Sequence, residues 1–263
     1  MPKKKISSSK KSQQKTQQPI VYIMGESPLV EEYGTLCASK GYTVFVQWNE
    51  QGTKTTVNKT LKRTSIIPAK TSLALELTNT DLVAKKKNIQ KIDKALPAEA
   101  AIISTSITVT ATEQATWIRH RHRLVGFGAL PGFSAKPLVE VAPTVFSPKE
   151  TIEVVQKFFT SIGKEIELVQ DRIGMILPRI LCQIINEATF ALMEDVASPK
   201  DIDTAMKLGL NYPYGPIEWA DKIGIRQIHA VLSALEADLN EDRYRISPLL
   251  RQMALGGEWW KNN

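Results

Sequence analysis

The stretch from Asp171 to Asp221 constrains most strongly what this chain can fold into. In its first half, apolar residues recur three and four positions apart, the spacing that lines one face of an α-helix. These residues are Leu177, Leu181, Ile184, Ile185, Ala188, Ala191 and Leu192. The polar positions fall on a narrow opposite stripe, and they are Arg179, Gln183, Asn186 and Glu187. The pattern predicts a long helix that is mostly buried.

Two further helices should follow the long one. Ser198-Pro199 is expected to end it, and Asp201 and Asp203 favour a new helix start, where carboxylates interact well with the helix dipole. A tight Pro-Tyr-Gly-Pro turn at 213–216 then precedes a third helix. The C-terminal part of the chain should therefore be helical.

Short motifs run through this region in a fixed order. They are Asn186-Glu187-Ala188, Val196-Ala197-Ser198, Asp201-Ile202-Asp203, Ala205-Met206, Leu208-Gly209, Pro213, Gly215-Pro216, Asp221, Arg243-Tyr244, Ser247-Pro248 and Leu249-Leu250. In order and spacing they resemble the C-terminal domain of the 3-hydroxyacyl-CoA dehydrogenase family, of the 3-hydroxybutyryl-CoA dehydrogenase type. The resemblance implies an all-helical domain that carries a homodimer interface and closes one wall of an acyl-CoA site.

The N-terminal half has the alternation of a dinucleotide-binding sheet. A β-type run at 20–24 is followed by Gly25, a helix, Gly41 and a second strand at 43–46. Strand, glycine turn, helix and strand form the unit that opens such sheets. The expected fold class is α/β, with a degenerate Rossmann-type dinucleotide-binding domain over residues 19–169 and an all-helical domain over residues 170–263.

The formal charge of +7 is concentrated at the N-terminus. Residues 1–18 hold six lysines and no acidic residue, so the remaining chain carries only +1. The segment is built mainly of Lys, Ser and Gln, which bury little apolar surface, and this predicts a disordered basic arm. Such an arm is either merely solvated or weakly attracted to polyanions, and a nucleic-acid partner is not expected.

Hydropathy and cysteine usage favour a soluble protein. No apolar run approaches the ~18 residues of a membrane span, and nothing resembles a signal peptide, so we expect a cytoplasmic location without a membrane partner. Cys37 and Cys182 each lie on an apolar helix face. They are expected to be free buried thiols, so neither a disulfide nor a metal site is predicted.

The turn after the first strand departs from the family. Aligned without a gap, the family's GxGxxG falls on Gly25, Ser27 and Val30, so only the first glycine is kept. Ser27 places a side chain where the backbone must approach a pyrophosphate, and Val30 places a branched one where helix and strand must pack closely. Carboxylates surround the same helix start and would repel a phosphate. They belong to Glu26, Glu31 and Glu32.

The family's cofactor is NAD, and the remaining positions for it are weak. An acidic residue would hold the adenosine ribose at the end of the second strand, but Trp48 and then Asn49 stand there. By resemblance, the candidate cofactor-binding residues are Gly25, Ser27, Asn49 and Glu76. Residues 51–70 lack the family's CoA-clasping helical hairpin. Either the sheet is kept as a scaffold without nucleotide, or NAD still binds.

The family's catalytic histidine has no counterpart. In the family, a histidine oriented by a glutamate accepts the hydroxyl proton while hydride passes to NAD, a task suited to the pKa of imidazole. The family's G-M-H-F-F-N-P segment aligns without a gap with residues 126–132, and its L-V-E ends at Glu140. Glu140 therefore matches the glutamate, and Gly128 stands in the place of the histidine.

No other residue is a good substitute for the family's catalytic and substrate-binding side chains. The family's substrate asparagine becomes Pro178, and its S-N-T-S-S segment leaves Ser104 and Ser106 as substrate-side candidates. His120 and His122 lie in a cationic run at 119–123 that should cap a surface helix end, and His229 should be an ordinary, partly buried histidine. None of these histidines has a carboxylate at a convincing local spacing.

Many of the residues that carry the family's chemistry are thus replaced in this chain, whereas the motifs of the helical domain are intact. We interpret the chain as a catalytically inactive or altered family member that acts as a dimeric binding or scaffold protein. The alternative is a working NAD-dependent 3-hydroxyacyl-CoA dehydrogenase of fatty acid metabolism with a relocated base. A third hypothesis is a binding module that holds an acyl-CoA or another small ligand in the interdomain cleft.

Overall fold

The structure is a computed structural model that describes residues 18–49 and 59–256. The predicted basic arm lies outside these residues, apart from Gln18. None of the helices in the described ranges is long and apolar enough to cross a membrane.

One eight-stranded sheet forms the N-terminal domain. Its strands are β1 Ile20–Gly25, β2 Thr43–Trp48, β3 Lys62–Arg63, β4 Thr71–Leu77, β5 Ala101–Thr105, β6 Leu124–Phe127, β7 Leu138–Pro143 and β8 Glu165–Leu168. They are arranged in the order β3-β2-β1-β4-β5-β6-β7-β8. The neighbours are parallel except for the antiparallel pair β6–β7. The central strands are mostly apolar because both faces of a parallel sheet are buried.

Helices cover both faces of this sheet and then build a second domain. The helices are α1 Leu29–Ser39, α2 Leu82–Ala95, α3 Ala111–Thr116, α4 Lys149–Ser161, α5 Leu177–Met193, α6 Pro199–Leu210, α7 Pro216–Ile223, α8 Ile225–Leu239 and α9 Pro248–Gly256. Helices α1 and α4 share one core with the sheet, and α2 and α3 share another on the opposite face. The predicted α/β class with a helical C-terminal domain is confirmed.

The chain order creates a switch point at the carboxyl end of β1. Strand β1 lies between β2 and β4, so the connections leave it toward opposite sides of the sheet. Ligands of open α/β sheets bind in the crevice that opens at such a point. The predicted strand, helix and strand of this unit are confirmed, although β2 continues to Trp48.

The helical domain is tied together by two buried polar side chains. Asp203 accepts hydrogen bonds from Ile217 N (2.8 Å) and Glu218 N (3.1 Å), and a Cβ at Gly215 would overlap its carboxylate. Asn186 was predicted on the polar stripe of α5, but it is 3% exposed and accepts a hydrogen bond from Ser247 N at 2.9 Å. Periodicity cannot reveal such a partner, which lies on another segment. Both ties join motifs that carry the family resemblance.

The cationic run at 119–123 is only partly the solvated helix end that was predicted. Arg123 is 1% exposed and donates to Asp93 Oδ1 from Nε (3.0 Å) and Nη2 (2.7 Å). His120 Nδ1 lies 3.2 Å from the same oxygen. Arg121 and His122 are exposed as expected. The expectation failed for Arg123 and His120 because their carboxylate belongs to α2, 30 and 27 residues away.

The Arg123–Asp93 pair should control stability in a pH-dependent way. Burial alone would raise the pKa of Asp93, but hydrogen bonds from Arg123 and from Arg119 N outweigh it and lower the pKa below its ordinary value. A depressed carboxyl pKa stabilises the fold above the ordinary pKa, and this contribution is lost as the pH falls through the folded-state pKa.

Replacing Arg123→Met should lower the free energy of unfolding by about 3–5 kcal/mol at pH 7, because the buried Asp93 carboxylate loses its arginine partner. Urea denaturation measures this change, and the deficit should shrink as the pH approaches the carboxyl range. Arg119→Met is the matched control, since the Arg119 side chain is exposed, and it should change stability by less than about 0.5 kcal/mol. Equal losses in both variants would contradict the role assigned to the pair.

Candidate functional site

A crevice of about 520 Å³ opens at the switch point between the two domains. The turn after β1 and the end of β2 form one side of it. The junction of α7 and α8, at 223–227, forms the other. This position corresponds to the dinucleotide site expected from the sequence, and Gly25, Ser27 and Asn49 all lie in its lining.

The altered positions of this crevice are bonded to each other. Glu31 Oε1 accepts hydrogen bonds from Ser27 Oγ (2.8 Å) and from Trp48 Nε1 (2.9 Å). Ser27 stands in place of the family's second glycine, and Trp48 stands in place of its ribose-binding acid. Both therefore donate to the same carboxylate, that of Glu31. The side-chain amide of Asn49 is also engaged within the protein, because it donates to Thr78 Oγ1 (2.9 Å) and accepts from Asn88 Nδ2 (2.7 Å).

Gly25 is needed by the fold whether or not a nucleotide binds. Its φ of +155° is unusual for a residue with a side chain. A Cβ there would lie 2.5 Å from the carbonyl carbon of Leu77 on β4. Packing of β1 against β4 therefore accounts for the one fingerprint glycine that remains.

Glu76, Ser104 and Ser106 lie inside the protein. Glu76 is fully buried and pairs with Lys85 Nζ at 2.5 Å, and Ser104 Oγ donates to the same carboxylate at 3.1 Å. Burial lowers the pKa of Lys85, against the opposing effect of Glu76. Ser106 is fully buried, and its Oγ makes no hydrogen bond. None of the three lines the crevice. Their contacts indicate that they stabilise the carboxyl end of the central strands.

The expected catalytic position lies beside a second, apolar cavity of about 550 Å³. Gly128 and Glu140 lie in its lining, together with apolar residues of α5 and with Trp219. Glu140 accepts hydrogen bonds from Ile176 N (2.8 Å) and Leu177 N (2.7 Å) at the start of α5. A Cβ at Gly128 would lie 3.8 Å from Glu140 Oε2. Glu140 thus keeps its place beside residue 128, but its oxygens serve a helix terminus.

His229 lies on α8 and lines a third cavity of about 720 Å³. Its Nδ1 lies 3.4 Å from Ser233 Oγ. Burial and the nearby Arg251 lower its pKa below the ordinary value. The expectation of a partly buried histidine on a helix is confirmed, but the sequence did not indicate that it faces a cavity.

Sequence reasoning also missed two residues that close the first crevice. Asn79 Nδ2 donates to Gln227 Oε1 at 2.9 Å and to Ala129 O at 3.0 Å. Asn79 and Gln227 are 148 positions apart, and neither carries a local motif. Only the packing of the two domains brings them together.

Fold and site together define a class of protein: a Rossmann-type domain joined to a helical domain, with a crevice at the switch point between them. The family model for the 3-hydroxyacyl-CoA dehydrogenase NAD binding domain matches residues 46–172, and that for the C-terminal domain matches residues 174–262. The chain belongs to the 3-hydroxyacyl-CoA dehydrogenase family. The first of these matches begins after the turn that follows β1.

Bacterial relatives show the same family. A probable 3-hydroxybutyryl-CoA dehydrogenase of Bacillus subtilis is 30% identical over 210 residues, covering 78% of this chain and 73% of that protein. A 3-hydroxybutyryl-CoA dehydrogenase of Bradyrhizobium diazoefficiens is 31% identical over 166 residues, 57% of its length and 63% of this chain. The structure of (S)-3-hydroxybutyryl-CoA dehydrogenase PaaH1 from Ralstonia eutropha has a TM-score of 0.76 and 25% identity, with 92% of this chain and 95% of that chain covered.

Replacing Glu140→Gln should destabilise the protein by about 1–2 kcal/mol, because a charged group that accepts two hydrogen bonds at a helix start is lost. Chemical denaturation checks this value. Glu167→Gln is the matched control, since Glu167 is exposed on the neighbouring strand β8 and should change stability by less than about 0.5 kcal/mol. An unchanged stability in the Glu140→Gln variant would show that the cap is energetically unimportant.

Proposed function

We propose that this chain is a family member without hydride-transfer activity that acts as a dimeric binding or scaffold protein. The observation that carries the proposal is the environment of residue 128. Gly128 offers no group that could accept a proton, and the neighbouring Glu140 is engaged by two backbone amides of α5. A general base must reach the proton that it removes, and no side chain at this position can do so.

The family's NAD does not fit the crevice well. A pyrophosphate needs free backbone amides and a close approach to a helix start. The turn here contributes Pro28, which has no amide proton, and the Ser27 side chain, which is tied to Glu31. Glu31 and Glu32 add negative charge in the first turn of α1. The proposed function therefore does not include NAD.

The apolar cavity beside Gly128 supports the binding role. Its volume of about 550 Å³ lies within the usual range for small-molecule sites, and most of its lining is apolar. Leu130, Ile176 and Trp219 contribute to it from both domains. An acyl group or another apolar small molecule is the kind of ligand that such a cavity would accept.

A second candidate function is a working dehydrogenase with a relocated base, and His229 is the observation that favours it. A histidine with a lowered pKa is neutral at pH 7 and can accept a proton. Its cavity also includes Asn79 and Arg226, which lie close to the first crevice. His120 is a weaker candidate, because it is held by Asp93.

The purified protein should show no measurable NADH oxidation with acetoacetyl-CoA, because loss of a positioned general base alone costs about 10²–10⁴-fold in rate. A spectrophotometric assay of NADH checks this expectation. Turnover within about tenfold of an ordinary dehydrogenase would contradict it. In that event His229→Ala tests one candidate for the relocated base, and the double variant His120→Ala/His122→Ala tests the other.

The proposed homodimer would use the helical domain. Apolar side chains remain exposed on α5, on α6 and in the turn between them in the described part of the chain, including Ile180, Val196 and Leu208, which is 82% exposed. Patches of this kind commonly mark protein interfaces. An isologous interface here would remove them from water in both copies.

Light scattering at micromolar concentration should report twice the chain mass without NAD or acyl-CoA, because an apolar interface of more than about 1,000 Å² does not need a ligand. Leu208→Asp should shift the protein toward monomer by placing a charge within that interface. Thr35→Asp, at an exposed position of α1 in the other domain, is the control and should leave the dimer intact. A monomeric unmodified protein would remove the assembly part of the proposal.

A further inference from the structure

Glu26, the residue after Gly25, carries a carboxylate whose hydrogen-bonding capacity is filled by the protein itself. Its Oε1 accepts from Gln227 Nε2 (2.5 Å) and Asn79 N (3.0 Å). Its Oε2 accepts from Thr80 Oγ1 (2.7 Å) and Thr80 N (3.3 Å). A carboxylate offers about four lone-pair sites. Four donors are therefore gathered on one anion at the lip of the crevice.

These donors come from both domains. Asn79 and Thr80 follow β4 in the sheet domain, whereas Gln227 lies on α8, 201 residues from Glu26. Asn79 and Gln227 are 1% and 7% exposed and bond to each other as well. In a setting of low water access, hydrogen bonds to a charged acceptor are stronger than those between neutral groups. The cluster therefore holds the helical domain against the sheet edge.

The Glu26 carboxylate also determines which kinds of ligand the crevice can bind. Glu26 lines the crevice directly beside the turn where a ligand phosphate would have to lie. The backbone amides of Asn79 and Thr80, which could otherwise serve an incoming anion, are already occupied. A phosphate entering here would meet a negative charge, and the backbone amides of Asn79 and Thr80 could not donate to it.

We propose that Glu26 is a specificity-determining residue: an internal anion that keeps the two domains closed and restricts the crevice to neutral or cationic ligands. The inference rests on the proposed absence of dinucleotide binding. It goes further by assigning that absence to one carboxylate, which acts through its hydrogen bonds and not only through its charge.

The closure is tested by hydrogen exchange at the amides of Asn79 and Thr80 in the full chain. Glu26→Gln replaces one carboxylate oxygen with an NH₂ group that faces other donors, so the amide on that side, of Asn79 or of Thr80, should exchange at least about tenfold faster. Gln227→Glu should have a similar effect, because it places two carboxylates together. The double variant Glu26→Gln/Gln227→Glu should recover most of the protection of the Thr80 amide, since the two substitutions exchange the amide and the carboxylate and restore a donor facing an acceptor between the domains. The Asn79 amide then faces the new NH₂ group and should stay unprotected. If both single variants exchange like the unmodified protein, the proposed closure is wrong.

The exclusion of anions is tested with NADH, followed by its fluorescence. We expect no measurable binding to the unmodified protein, and in Glu26→Gln/Ser27→Gly a dissociation constant at least about tenfold below the weakest that the titration can detect. Glu32→Gln/Ser27→Gly is the matched control, because it removes one charge from the same helix turn while Glu32 bonds to Gly132 N and not to this cluster. An equal gain in NADH affinity in this control would show that net charge or the Ser27 side chain causes the effect, and would overturn the proposal.

The two readouts separate this inference from the proposed function. Tight NADH binding by the unmodified protein would contradict the loss of cofactor binding, and the anion exclusion with it. A protein that binds no NADH but whose variants show no change in exchange or affinity would leave the proposed function standing and remove the role of Glu26. Should Glu26→Gln fail to fold, Gln227→Glu carries the exchange test alone.

Discussion

The hydrogen bonds from the start of α5 to Glu140 fix the relation between the two halves of this protein. Glu140 belongs to the sheet, and Ile176 N and Leu177 N belong to the helix on which the second domain is built. Helix α5 has no side-chain cap of its own, so its first amides depend on this carboxylate. Because α7, α8 and α9 all pack on α5, the position of the whole helical domain follows from where that helix begins.

This arrangement gives structural reasons for the positions of the family's site that this chain keeps. Gly25 is required by the contact between β1 and β4, and Glu140 is required by α5. Asn49 is held between Thr78 and Asn88. Each is fully employed by the fold, so none of them indicates that a nucleotide or substrate binds. Retained family residues therefore have to be judged by what they contact in this chain.

The crevice and the apolar cavity have opposite characters. Carboxylates and their donors dominate the turn after β1, where Glu26 and Glu31 organise the neighbouring side chains. The cavity beside Gly128 is lined mostly by apolar groups of both domains. An apolar ligand would lose little favourable hydration by entering the apolar cavity, whereas a charged ligand would lose its hydration there without a compensating partner. Of the two sites, the apolar cavity therefore supports the proposed binding role.

The sequence by itself determined the fold class, the helical C-terminal domain and the absence of a base at Gly128, because periodicity and gap-free motif spacing are local properties of the chain. It could not determine the partners of Glu26, Asn186, Arg123 or Glu76. Glu26 meets Gln227 across 201 residues, and Asn186 meets Ser247 across 61. Such pairs form only when separate elements pack together. Their polar side chains are buried because each hydrogen bond compensates for lost hydration, and that compensation exists only in the tertiary structure.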